Sequence, residues 1–263
     1  MHIVVCAKQV PNPEAAFSMF RIDEHAKRMV PAPGLQLVMS PFDEQAVEAA
    51  LRIRERHAGT KITVITLGPE SARNAIKHGL AMGADEGVLL RDSAFDDADS
   101  HITVHALAAA IRRLADFDLV LTGRQAADRD AGVVGAGVGE LLGLPVISFA
   151  KDVQLKGAMV RVERVLDDGS EIVEAALPAL VTVSNELGTA RTPNLRETMR
   201  AARKPVSAWN AGDLGLAAEA CGARRVVERL FVPARNSRCE FIAGAPQAQA
   251  AALAQRLRAA KLI

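Results

Sequence analysis

This chain predicts an α/β fold built on an open, mostly parallel sheet, and three observations carry that expectation. Short apolar runs alternate with amphipathic helical patterns up to about residue 145, the signature of right-handed βαβ units. The stretch Leu119–Gly143, LVLTGRQAADRDAGVVGAGVGELLG, reads as a buried strand, a polar turn and a helix of small residues. Beyond Pro145 the runs become β-like and include an Asp167-Asp168-Gly169 hairpin turn, before the chain turns irregular.

The elements follow in order. His2–Cys6 is the first strand, and a loop rich in Pro and charge covers Val10–Met39. A helix opens at Ser40, with Pro41 at its first position and Glu44 in its first turn, a good start signal. It runs to about His57, its apolar face carried by Ala46, Val47, Ala50, Leu51 and Ile53. Lys61–Leu67 is the second strand, followed by Gly68-Pro69 and a helix through Ala81. Gly87–Leu90 is the third strand, Ser100–Ala115 a helix, and Asp118–Thr122 the fourth strand. The turn Gly123–Asp130 leads into a helix over Ala131–Leu142. Val153–Leu155, Met159–Leu166, Ser170–Ala176 and Leu180–Ser184 are β-like, expected to extend or flank the sheet. A last helix covers Pro246–Ala260. The expected organisation is a nucleotide-binding domain over residues 1–205 and an extended C-terminal arm over 206–263 that docks on another chain.

Composition narrows the function classes. The 263 residues are 49% hydrophobic and 24% charged, with a net charge of +1, ordinary for a globular protein and no electrostatic footprint for nucleic acid. Aromatics are 3%, with no Tyr and one Trp, so a base-stacking surface is hard to build. Cys6, Cys221 and Cys239 form no CxxC pair, which fits a reduced, cytoplasmic compartment. No signal peptide or membrane span is legible in the sequence.

The strand–turn–helix stretch carries the chemistry. Ligands of open α/β sheets sit beyond the carboxyl ends of strands. A helix start stripped of side chains by Gly132, Gly135, Gly137 and Gly139 lets backbone N–H groups approach a phosphate, aided by the helix dipole. Close helix–strand packing is the other reading of those glycines. The stretch is neither GxGxxG nor a P-loop. Asp128 and Asp130 flank the turn and are expected to cap the helix. Arg124 is either a partner for a phosphate or flavin edge or an exposed turn charge. Cys6 reads as core, and His101 with His105 as a solvated helix face. Gly83-Ala84-Asp85 is either a helix-ending turn or part of an adenine pocket. No catalytic acid, base or nucleophile is identified. A protein that holds a nucleotide without such groups looks like a cofactor carrier.

Six blocks in order resemble the β subunit of electron transfer flavoproteins. They are Val4–Pro11 (VVCAKQVP), Ser40–Asp43 with Ala46–Glu55 (AVEAALRIRE), Leu80–Leu90 (LAMGADEGVLL), Leu121–Gly135, Val160–Glu163 with Leu177–Leu180, and Leu187–Pro205. The resemblance implies a Rossmann-like domain in a heterodimer with a homologous α subunit. It implies a redox FAD lying mainly in α, and AMP or a second FAD in β. Electrons would pass from flavin dehydrogenases, such as acyl-CoA dehydrogenases, to a quinone reductase or another acceptor. The cofactor-binding residues it marks, together with those argued above, are Cys6, Ala7, Ser40, Pro41, Phe42, Asp43, Leu67, Gly83, Asp85, Gly123, Arg124, Gln125, Asp128, Asp130, Ala131, Gly132, Val133, Val134 and Gly135. A recognition loop over 186–200 would meet the dehydrogenase through Leu187, Arg191, Leu195 and Met199. Two departures stand out. Gly132-Val133-Val134 replaces the Asn-Gln-Thr of the AMP-binding group and looks more like the electron-bifurcating group. Gly188, Ala190 and Thr192 stand where the family often has Asn, Pro and Tyr. The alternatives are a subunit of an NADH-dependent bifurcating flavoprotein and a stand-alone adenine-nucleotide sensor.

Overall fold

The computed structural model describes residues 1–233 and 239–263; the part of the expected arm at 234–238 lies outside them. In chain order the elements are β1 (His2–Cys6), β2 (Gln9–Pro11), β3 (Phe20–Asp23), β4 (Arg28–Pro31), β5 (Leu37–Met39), α1 (Pro41–Arg56), β6 (Lys61–Leu67), α2 (Arg73–Met82), β7 (Glu86–Leu90) and α3 (Ser100–Arg113). Then come β8 (Leu119–Gly123), α4 (Val134–Leu142), β9 (Val146–Lys156), β10 (Met159–Leu166), β11 (Gly169–Ala176), β12 (Ala179–Val183), α5 (Leu195–Ala201), β13 (Val206–Trp209) and α6 (Pro246–Ala259).

The main sheet has nine strands in the order β11-β10-β9-β12-β8-β1-β6-β7-β13. All neighbours pair in parallel except β10, which is antiparallel to both β9 and β11. Alternation along β1 divides the core between the two faces. Ile3 and Val5 pack with Ala46, Val47 and Leu51 of α1 and Ile76 and Leu80 of α2. Val4 and Cys6 pack with Ile102, Ala106 and Ile111 of α3 and Val138 of α4. The expected α/β sheet with helices on both faces is what forms.

Four local expectations differ. The Val10–Met39 loop holds two small ladders, β2 with β5 and β3 with β4, the latter a hairpin turned by Lys27 at φ 52. β9 begins at Val146, ahead of Val153–Leu155, because its first half pairs in parallel with β12 and only its second half with β10. β13 lies beyond the boundary expected at residue 205, yet pairs in parallel with β7, so the arm leaves the sheet after Trp209. Helix α4 begins at Val134 rather than Ala131, because Asp130 and Gly132 have φ 47 and 65, outside helical geometry.

Candidate functional site

The chain moves from β1 outward to β6 and β7, then returns to β8 on the other side of β1. Strand order therefore reverses between β1 and β8, where an open α/β sheet leaves a crevice at its carboxyl edge. Cys6-Ala7 and Gly123-Arg124 form the two lips of that crevice, and Leu67 ends the next strand.

The start of α1 closes the floor. The Asp43 carboxylate accepts the Lys8 N–H at 2.8 Å on one oxygen and the Gly123 N–H at 3.1 Å on the other, tying both lips to the helix. Burial pushes the Asp43 carboxyl up to about 7; the Lys8 and Gly123 N–H groups and the Lys8 charge oppose that shift, and Asp128 adds to it. A Cβ on Gly123 would stand 2.5 Å from Asp43 Oδ1 and 2.7 Å from Phe42 Cβ, so the approach of β8 to α1 requires glycine. Ser40 marks the helix start as expected but does not cap it; its hydroxyl accepts the Ala127 N–H of the turn, at 3.4 Å. Pro41 supplies the first residue of the helix.

Arg124 is not an exposed turn charge. Its guanidinium lies 5.4 Å from the centre of the Phe42 ring and 5.8 Å from that of Phe149, a two-sided cation–π arrangement. One nitrogen donates to Ser184 Oγ at 3.2 Å, while the buried Nε has no partner. Phe149 reaches this position because β9 bulges against β12 and Phe149 adopts φ 61, a strained value for a phenylalanine.

In the turn, Lys8 Nζ pairs with Asp128 at 2.6 Å and Gln125 donates to Asp130 at 2.8 Å. Neither aspartate caps α4, whose N-terminus has no side-chain cap; Asp128 is committed to Lys8 instead. Of the helix glycines, Gly135, Gly137 and Gly139 serve packing: a Cβ on each would come within 2.8 Å of Thr122, Val104 and Val146 respectively. Only Gly132 faces open space: a Cβ there would have Arg124 O as its nearest neighbour, at 3.7 Å. Ala131 and Val133 are exposed beside it and Val134 half-buried.

Two expected cofactor residues lie elsewhere. Gly83 and Asp85 precede β7 and sit at the amino edge of the sheet, opposite the crevice. Asp85 accepts the Ile62 N–H at 2.8 Å and pairs with Arg54 at 3.4 Å, while Gly83 ends α2 at φ 144. Their block is a fold staple and does not line the crevice. A cleft of about 530 Å³ bounded by His2, Lys61, Asp116 and Asp118 also opens at that far edge. Cys6 is core: burial, then the Asp43 charge, pushes its thiol up to about 12, so it is no nucleophile. The His101 and His105 rings lie 4.3 Å apart on α3, tilted by 58°, and the described residues contain no group of three or more metal-ligating side chains.

The 186–200 segment divides in two. Leu195 and Met199 are 76% and 64% exposed on α5, which is framed by a reciprocal cap between Asn194 and Glu197. Leu187 is buried, and Arg191 turns inward onto Glu48 and Glu55 of α1. These last two hold the segment on its own domain and are not outward-facing contacts. Lys8, Phe149, Ser184 and Glu48 were missed from sequence. Lys8 and Ser184 directly follow parallel strands and were findable by that rule, whereas nothing local marks Phe149 or Glu48.

Comparison with known proteins places the chain in a family. The model of the electron transfer flavoprotein domain matches residues 33–214, well over half of the chain. A subunit of a caffeyl-CoA reductase–Etf complex, CarD of Acetobacterium woodii, is 38% identical over 93% of this chain and 92% of its own length. The electron transfer flavoprotein subunit beta of Clostridium acetobutylicum is 39% identical over 81% and 80%. The chain belongs to the electron transfer flavoprotein β-subunit family. Another relative is Protein FixA of Azorhizobium caulinodans, 35% identical over 90% of this chain and 86% of its own. An electron transfer flavoprotein β subunit works in electron transfer in association with flavin. Among the described residues, no helix is long and apolar enough to cross a membrane.

Proposed function

We propose that this chain pairs with a homologous α subunit and holds an adenine nucleotide across the β1/β8 crevice. In this reading it carries electrons from flavin dehydrogenases, such as acyl-CoA dehydrogenases, to a quinone reductase or another acceptor. The observation that supports it most is the convergence on one crevice of an uncapped helix start at α4, the open Gly132 loop and the Arg124 guanidinium with an unpartnered Nε. Backbone N–H groups, a helix dipole and a pre-oriented arginine are what a phosphate needs. In this reading, Asp43 holds the lips together, and Phe42 and Phe149 orient Arg124. A flavin bound at the subunit boundary would supply the redox chemistry, for which no acid or base of this chain is required. The free cysteines fit a cytoplasmic setting.

A second FAD in place of AMP is the finer reading, and the bareness of Gly132–Val134 favours it, since small groups leave room for a further phosphate. Acid release and mass identification of the nucleotides in the co-purified heterodimer decide the matter. AMP with one FAD per αβ pair supports the AMP form, and two FAD per pair the bifurcating form. One FAD with no further nucleotide would overturn the site, and a nucleotide-loaded homodimer without α would favour the sensor.

A further inference from the structure

Helix α1 carries a charge cluster that the nucleotide crevice does not use. The Glu48 side chain is only 6% exposed, rare for a glutamate unless it is paired. Its carboxylate takes four N–H donors. Arg52 Nε at 2.9 Å and Arg191 Nη2 at 3.2 Å share one oxygen; Arg191 Nε at 2.7 Å and the Arg191 backbone N–H at 3.2 Å share the other. Arg191 also reaches Glu55 at 2.8 Å. Arg52, steadied by Glu48, donates to the carbonyls of Leu187 at 2.9 Å and Thr189 at 3.4 Å. Glu48 thus grips the 187–191 segment twice, directly at Arg191 and through Arg52.

Beyond the grip lies a seven-residue helix, α5, too short to hold a direction by itself. The helix lies along α2, and its far end is fixed there by buried Ala201 and by Lys204, which donates to the Leu80 carbonyl at 3.0 Å. Its near end, which presents Leu195, follows directly on the 187–191 segment that Glu48 holds. Burial acts to raise the Glu48 carboxyl, but hydrogen bonds from Arg191 and Arg52 outweigh it and keep the group below the usual range. The planar forks of two arginines give the grip an orientation that a single point charge would not.

We propose that Glu48 is the positioning residue of the docking segment, fixing through Arg191 and Arg52 the direction in which Leu195 and Met199 are presented to a partner protein. This rests on the reading of 186–200 as the segment that meets the dehydrogenase. A loop that holds its binding pose only part of the time loses apparent affinity in proportion to that fraction.

The test uses the full chain co-purified with its α partner, as wild type, Glu48→Gln, Arg191→Gln and Leu195→Ala. Hydrogen exchange reads the order of 187–199. Steady-state reduction by an acyl-CoA dehydrogenase that reduces the wild-type heterodimer reads KM for the carrier apart from kcat. Glu48→Gln is expected to speed exchange in 187–199, leave β1 and β8 protected, and raise KM about five- to tenfold at constant kcat. Arg191→Gln is expected to do the same; its side chain is 37% exposed, so it decides the question if Glu48→Gln does not assemble. Unchanged loop exchange and KM in these variants, with KM raised in Leu195→Ala, overturns the role of Glu48 alone. Loosening that spreads into β1 and β8 also overturns it, in favour of a general stabilising role. An unchanged KM in Leu195→Ala overturns the docking reading itself, whatever Glu48 does to the loop.

Discussion

Asp43 is where the crevice is most exposed to chemical challenge, because one carboxylate closes both lips. Its pKa is raised by burial from 3.8 to about 7 in the folded protein. Folding therefore takes up a proton between those values. The group's contribution to stability is fully present below about pH 4 and is lost as pH rises through 7. Asp43→Asn is expected to flatten the difference in stability between pH 4 and 7. It also leaves one of the two N–H donors facing an amide NH2, at a cost of about 1–3 kcal/mol. Denaturant melts of both proteins across that window check this; parallel profiles would contradict it. Cys6, Gly123 and Arg124 were legible because they end or follow apolar strands, and strand ends define the crevice. Gly83 and Asp85 were misplaced because a block of family sequence says what folds, not which edge of the sheet it faces. Phe149 was invisible because its placement depends on a bulge and a positive φ, neither of which has a local sequence signal.

Among the elements, α5 is the one whose packing departs most from the usual burial of apolar residues. A leucine 76% exposed and a methionine 64% exposed stand on a helix that is otherwise carefully capped. Leu195 does not staple the helix to its own domain, so removing it has little to destabilise. Leu195→Ala is expected to keep the melting temperature and both cofactors. It should weaken transfer from the dehydrogenase by about 5- to 150-fold at low partner concentration, from roughly 1–3 kcal/mol of lost burial. Kinetics across dehydrogenase concentration check this; an earlier melt with unchanged transfer would contradict it. Helices and parallel strands were largely legible because their periodicity is local. The ladders in 10–39 and the first half of β9 were not, because short strands whose pairing is distant in sequence carry little periodicity of their own.

At the scale of the whole molecule, the fold has a finished face and an unfinished one. The sheet and helices α1 to α4 bury a core on each face, and the first part of the arm is tied down where Asp92 accepts the Ala211 N–H at 3.0 Å and Asp99 accepts the Arg224 and Arg225 N–H groups at 2.7 and 2.9 Å. Beyond that, Val226 is 82% exposed, Phe241 89%, Leu262 71% and Ile263 70%, and α6 buries nothing. We infer that these exposed apolar residues meet an α partner. Expressed without an α partner, the chain is expected to aggregate and hold little flavin, as light scattering and absorbance would show. A soluble, yellow monomer would contradict the docking role of the arm.

In the proposed reading, the β1/β8 crevice holds a nucleotide phosphate against the Gly132 loop. Gly132→Asp tests it most directly. Gly132 has φ 65 and nothing closer than 3.7 Å to an added Cβ, and aspartate tolerates that backbone better than most residues. The fold should survive while a carboxylate stands where the helix dipole favours an anion. The measurement is acid-released nucleotide per heterodimer in variant and wild type. Loss of most of the nucleotide held by this subunit, with the α-bound FAD retained, is the predicted result. Full occupancy in the variant would contradict phosphate binding at the Gly132 loop.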